Sequence, residues 1–359
     1  MTIFIAAVLQ CTYAWQLWYY SSGRKKKKSK FPFSVPPISV VIPFRNEAQN
    51  LPQLISSLKQ LPIHVTVYWV NDHSTDSGES WLSSHLPQNH LLIQNEGEGK
   101  KQALETGIKN IPNEHWILTL DADVQLSEDW WNNIQNHFNP EMAMIVFPIK
   151  MLSGKKWLEE FQSLEFGFFQ IITQGSILRQ RAQLSNGAHL AFQKKYFTMV
   201  NGYHANRHIS SGDDQFLLSA FRKKNWPIGW AEINEPVICI APLPDWKLLL
   251  SQRIRWAGKS PAMELIDMKL LAYNTAISNT ILLYCYYQLL FLPNDTFDLA
   301  LTGLILIKWL SEWRVFTMVV CRSKFITLLF LIIYPFWVFL VGLSVLFLKQ
   351  EWKGRLLKR

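Results

Sequence analysis

Two hydrophobic patterns alternate along the chain. Between residues 36 and 126, short β-branched runs appear as ISVVIPF, VTVYWV and HWILTL, separated by the helix-like stretches NLPQLISSLKQ and QALETGIKNI. Strand, helix, strand, helix, strand with both strand faces apolar predicts a mostly parallel sheet packed between helices. The second pattern is uninterrupted. Residues 1–23, 270–292 and 325–348 carry no charge, and each reaches or exceeds the roughly 20 residues needed to cross about 30 Å of hydrocarbon. The expectation is a membrane protein with a soluble middle.

Residues 299–321 are also apolar, but Lys308, Glu312 and Arg314 interrupt them. Lys308 and Glu312, four apart, share a helix face and are expected to pair inside a bundle. A spanning helix there gives four crossings; an interfacial one gives three. The stretch 154–175 is aromatic on one helical side, which suits either a platform lying on the membrane or ordinary core.

Charge orients this arrangement. The run RKKKKSK, Arg24 to Lys30, follows the first apolar segment, which has neither a basic start nor an obvious small-residue cleavage site. It therefore reads as a retained anchor with the basic run on the cytoplasmic side. The expected organisation is an anchor over 1–23, a basic linker over 24–35, and a cytoplasmic catalytic domain over 36–244. An interfacial segment over 245–260, a transmembrane region over 270–348 and a basic tail over 349–359 complete it. The net charge of +9 gathers in the lysine run and the tail, not in a groove, which argues against a nucleic-acid partner. The 4 cysteines show no zinc spacing.

Ligands of parallel α/β sheets bind beyond the carboxyl ends of the strands, where PFRNE, VNDHSTD and LDADV fall. Asp72 ends an apolar strand, placed to accept from a base or ribose, although an N-cap or an Asx turn explains it equally well. Asp121 and Asp123 alternate, so both point to one side of an extended segment and offer hard oxygen ligands to Mg²⁺ or Mn²⁺. Lys100, at a helix start, adds positive charge for phosphate. Asp213 and Asp214 open the helical QFLLSAFRKK, where a carboxylate can take a proton from an acceptor. In SQRIRW, Gln252, Arg255 and Trp256 share one helix face, which offers a guanidinium to phosphate and an indole to a sugar.

Taken together, these islands resemble the membrane-bound branch of the inverting family-2 glycosyltransferases with the GT-A (Rossmann-like α/β) fold. That branch includes cellulose, hyaluronan and poly-N-acetylglucosamine synthases and ceramide glucosyltransferase. The resemblance covers roughly residues 36–260. It implies that Glu47, Asp72, Lys100 and Asp121 serve the nucleotide, Asp123 the metal, and Asp214 the base. Asp213, His189, Gln252, Arg253, Arg255 and Trp256 fall on the acceptor and diphosphate side; His189, in SNGAHLAF, replaces a commoner asparagine. The implied activity is metal-dependent transfer from a nucleotide-sugar, on family grounds a UDP-sugar, to a membrane lipid or lipid-linked glycan. The implied location is the plasma membrane, multi-pass, with oligomers allowed. Few crossings favour transfer of one or a few sugars over polymer extrusion. A processive polysaccharide synthase and a non-catalytic scaffold stand as alternatives.

Overall fold

The computed structural model describes residues 1–23, 35–207, 209, 211–233, 235–293, 295–319, 324–348, 351–352 and 355–356. The basic run Arg24–Lys30, Cys321 and Arg322, and most of the tail KGRLLKR lie outside them. The chain divides into two compact units, each described by itself. One comprises residues 25–152, 180–242 and 351–359, the other residues 1–24, 153–179 and 243–350.

The first unit is the α/β unit. Its strands are β1 (Ile38–Phe44), β2 (Thr66–Asn71), β3 (His90–Gln94), β4 (Trp116–Leu120), β5 (Val124–Leu126), β6 (Met144–Val146), β7 (Lys150–Met151), β8 (His189–Gln193), β9 (Ile228–Trp230) and β10 (Ile238–Ile240). The main sheet has the order β3-β2-β1-β4-β8-β6-β9. Every pairing in it is parallel except those of β8, which runs antiparallel to both β4 and β6. A three-stranded sheet, β5-β10-β7, lies beside it. The mostly parallel sheet expected from the apolar runs is present, with one reversed strand.

The reason these runs form central strands is visible in their burial. All seven residues of β1 and all five of β4 are buried, so a continuous β-branched sequence is what both faces require. The strands missed by pattern are the half-exposed ones. HLLIQ forms edge strand β3, in which Leu91 is 47 % exposed, and a short edge strand needs no apolar run.

The second unit is helical: α1 (Thr2–Ser21), α2 (Trp157–Leu178), α3 (Trp246–Ala257), α4 (Ile266–Phe291), α5 (Asp295–Phe316) and α6 (Lys324–Phe347). Of the described helices, α6 alone is long and apolar enough to cross a membrane. The uncharged segments 1–23 and 270–292 form α1 and α4, but these helices carry polar side chains that meet each other. Gln10 Nε2 donates to Ser278 O (3.0 Å), Ser278 Oγ donates back to Gln10 Oε1, and Asn274 Nδ2 donates to Gln16 Oε1 (3.1 Å). Polar residues joining helices in this way suit an apolar surrounding in which an unpaired amide is costly.

Lys308 and Glu312 pair as expected. Lys308 Nζ lies 2.7 Å from Glu312 Oε1 with both side chains at most 1 % exposed, and Tyr13 Oη donates to the same carboxylate (2.7 Å). The aromatic stretch at 154–175 forms most of α2 and resolves as core. Phe161 packs against Phe330 and Trp337 of α6 and Trp246 of α3. Gly175 meets the Tyr20 carbonyl so closely that a Cβ would fall 1.4 Å from it. The segment therefore packs within the helical unit, although it falls inside the 36–244 domain expected from sequence.

Candidate active site

Beyond the carboxyl ends of β1 and β2, the loops of the α/β unit are tied into one layer. Asn46 Oδ1 accepts from Thr75 N (2.7 Å), Asn46 N donates to Ser74 Oγ (3.1 Å), and Ala48 N donates to Asp76 Oδ2 (2.9 Å). Arg45 Nη1 donates to the carbonyls of Asp72 and His73, each at 2.8 Å. Glu47 is nearly buried and its Oε2 accepts from Asn50 Nδ2 (2.6 Å). Neither Glu47 nor Asp72 projects freely.

Asp72 is 1 % exposed, and its Oδ1 accepts from Asn95 Nδ2 (2.7 Å) and Gly99 N (2.9 Å). The neighbouring Asn71 holds the loop that follows, its Oδ1 accepting from Ser74 N (2.9 Å) three residues on. Gly99 needs to be glycine: its φ is +91°, a region that penalises any Cβ. That geometry lets the helix Lys100–Lys109 start with its amide against the carboxylate of Asp72.

The first turn of this helix delivers Lys100 to the acidic corner. Lys100 Nζ lies 2.6 Å from Asp121 Oδ1 and 3.5 Å from Asp213 Oδ2. Burial alone would lower its pKa, but Asp121, Asp213 and Asp214 outweigh that and hold it well above the ordinary lysine range. Asp213 and Asp214 open the helix Asp213–Lys223, at whose positive end acidic residues are favoured. Gly187 closes the corner: its N–H donates to Asp214 Oδ2 (3.2 Å), and its carbonyl accepts from Thr119 Oγ1 (3.0 Å). A Cβ there would fall 2.8 Å from Asp213 Oδ2 and 3.4 Å from Lys100 Nζ. The sequence offered Gly187 only as part of SNGAHLAF, with no role of its own.

Asp123 is exposed in the turn between β4 and β5. No group of three or more His, Cys, Asp or Glu able to cage a metal occurs among the described residues. The donor set nevertheless suits one class of ion, since Mg²⁺ and Mn²⁺ are commonly bound by one or two carboxylates, with phosphate oxygens and water supplying the rest.

Two residues expected on the acceptor side are buried. His189 is fully buried on β8, stacked on Phe147 (4.4 Å between centroids) and accepting from Trp130 Nε1 (3.3 Å). Burial pushes its pKa down to about 3, so it is a neutral histidine packed among aromatic rings. All five residues of this central strand are buried, which encloses the ring. Arg253, in the helical unit, is 4 % exposed; its Nε and Nη2 reach Glu165 Oε2 at 2.7 and 2.6 Å, and its guanidinium lies over the Trp256 ring. It serves the α2–α3 contact. Gln252, Arg255 and Trp256 are part-exposed on α3, and burial lowers the pKa of Arg255.

Comparison with known proteins fits this geometry. Residues 39–201 match the description Glycosyl transferase family 2. The chain therefore contains a family-2 glycosyltransferase domain. Curated relatives include the undecaprenyl-phosphate 4-deoxy-4-formamido-L-arabinose transferases of Proteus mirabilis (strain HI4320), 35 % identical over 96 residues, and Photorhabdus laumondii, 34 % identical over 96 residues. Each match covers 24 % of this chain and 29 % of the relative, so the chain spans less than a third of the length of these relatives. Among solved structures, a mannosyltransferase from Pyrobaculum calidifontis in complex with GDP-Man and Mn²⁺ superposes with a TM-score of 0.61 at 15 % identity. The match covers 97 % of this chain and 99 % of that one. At that identity the likeness concerns the fold, which is GT-A-like.

Proposed function

We propose that this glycosyltransferase is an inverting, divalent-metal-dependent enzyme that moves one sugar from a nucleotide-sugar, UDP-linked on the family resemblance, to an acceptor held in a membrane. The observation that carries the reading is the corner in which Lys100 lies between Asp121 and Asp213 while Gly187 holds Asp214. It gathers cationic, metal-seeking and basic groups at the carboxyl ends of the strands, where a nucleotide would lie.

In this reading the Asp72 and Glu47 loops shape the nucleoside side, and Lys100 offers its ammonium to the diphosphate. Asp121 and Asp123 would hold Mg²⁺ or Mn²⁺, which when bound neutralises charge on the departing diphosphate. Asp214 sits at a helix N-terminus with one oxygen held by Gly187 N, placed to take the proton of an attacking hydroxyl. The roles of Gln252, Arg255 and Trp256 rest on the family resemblance alone.

The names of the relatives favour a second acceptor class, a polyprenyl phosphate. A phosphate oxygen is already ionised at neutral pH and needs no base, so the two acceptors assign Asp214 different importance. Nucleoside diphosphate release from a panel of UDP- and GDP-sugars with Mn²⁺ tests both, using purified protein with undecaprenyl phosphate, total membrane lipid, or neither. Lipid-stimulated release from one donor supports transfer, and the arm that stimulates names the acceptor class. Release that ignores every lipid argues against a membrane acceptor.

A further inference from the structure

The helix that delivers Lys100 carries a second lysine with a different task. Lys101 is only 4 % exposed, and its Nζ donates to Asn206 O (3.0 Å), Asn206 Oδ1 (2.7 Å) and Ile209 O (2.9 Å). The ammonium also lies 4.5 Å from the centroid of the Phe216 ring. Three oxygens and an aromatic face make a complete seat for a cation. One turn further along, Glu105 Oε1 accepts from Tyr203 N (3.1 Å) and its Oε2 from Arg207 Nη2 (2.8 Å). Lys101 and Glu105 thus grip both ends of the segment Tyr203–Ile209.

That segment leads directly into Asp213 and Asp214. Its described main-chain hydrogen bonds are local turns, such as Asn206 N to Tyr203 O and Ile209 N to Asn206 O. Phe216, under the ammonium, lies two residues beyond Asp214. Of the two grips, the Glu105–Arg207 bridge is half exposed and correspondingly weak, whereas the Lys101 seat is buried.

We propose that Lys101 is a positioning residue: its ammonium fixes the segment before Asp213 and so sets the placement of the Asp214 carboxylate, without itself touching the donor. The inference rests on the transferase reading for its consequence on turnover, but not for its consequence on the segment. The same helix begins with Gly99 N on Asp72, so one rigid element spans the nucleotide-side loop and the acidic corner.

The test compares wild type, Lys101→Met, which keeps the apolar stem over Phe216, and Lys101→Ala, which leaves a space the size of propylammonium. Amide hydrogen exchange across residues 203–214 is read first, without donor. Both variants are expected to exchange faster there, and added propylammonium is expected to restore protection in Lys101→Ala but not in Lys101→Met. Turnover is read second: kcat should fall by up to about 10²-fold, as misplacement of a catalytic group by around 1 Å can do. The donor KM and UDP–Mn²⁺ affinity should stay within about twofold, with kcat rescued in Lys101→Ala by propylammonium. Unchanged exchange in both variants overturns the proposal, as does a raised donor KM at constant kcat, which would make Lys101 a direct nucleotide ligand. Altered exchange in a protein whose wild type transfers no sugar would uphold the latch and sink the transferase reading instead.

Discussion

Gly187 sets how tightly the acidic corner is built. Its N–H fixes Asp214, and the space a side chain would need is already taken by Asp213 and Lys100. Gly187→Ala is therefore expected to lower turnover roughly tenfold or more by displacing carboxylates, while thermal unfolding shows the protein still folded. At the same scale, His189 gives a pH signature. Its pKa falls from an unfolded value near 6.5 to about 3 in the folded core. The stability it contributes is thus present above pH 6.5 and lost as pH falls from there towards 3, by up to about 1.4 kcal/mol per pH unit. His90, lowered to about 4 by burial, adds to the same acid sensitivity. Unfolding followed from pH 7 to pH 4 should be visibly less pH-dependent in His189→Phe than in wild type. Equal slopes would mean that His189 is not held neutral by burial.

At the scale of elements, sequence reading succeeded where a period or a charge has one cause. The strands β1, β2 and β4, the helix Lys100–Lys109 and the Lys308–Glu312 pair follow from apolar runs, helical spacing and i,i+4 geometry. Strand β8 was hidden because its reversed direction comes from tertiary pairing with β4 and β6, not from its own pattern. The enclosure of His189 was not legible because a motif gives an order of residues but not what packs around each. Helix α2 was ambiguous because an apolar stripe looks the same against lipid and against other helices. Of the predictions at this scale, the buried pair is the sharpest. Lys308→Met leaves the buried Glu312 charge without its counter-ion, with the Tyr13 hydroxyl still donating to it, at a cost of about 3–5 kcal/mol. The double variant Lys308→Met, Glu312→Leu should recover most of it, measured by unfolding in detergent. If single and double variants are equally unstable, the loss in the single variant does not come from an uncompensated charge on Glu312.

Across the whole molecule, chemistry-bearing carboxylates belong to the α/β unit and the apolar helices to the other, a division of labour suited to water-soluble donors and membrane-held acceptors. One helix, Lys324–Phe347, meets the length and composition of a span. The cross-bonded polar residues of α1 and α4 explain how these two helices can be less apolar and still pack stably. The central claim is that the Asp121–Asp123 and Asp213–Asp214 corner transfers sugar from a nucleotide to a membrane acceptor. The most direct measurement is incorporation of radiolabelled sugar from nucleotide-sugar donors into extractable lipid by the purified full chain with Mn²⁺, for wild type, Asp123→Ala and Asp214→Ala. The account predicts label in lipid for wild type from one donor and its loss in Asp123→Ala. It also predicts loss in Asp214→Ala when the acceptor is a hydroxyl, with UDP binding retained in that variant. Labelled lipid formed equally by wild type and Asp123→Ala, or no transfer and no nucleotide binding by folded wild-type protein, would contradict it.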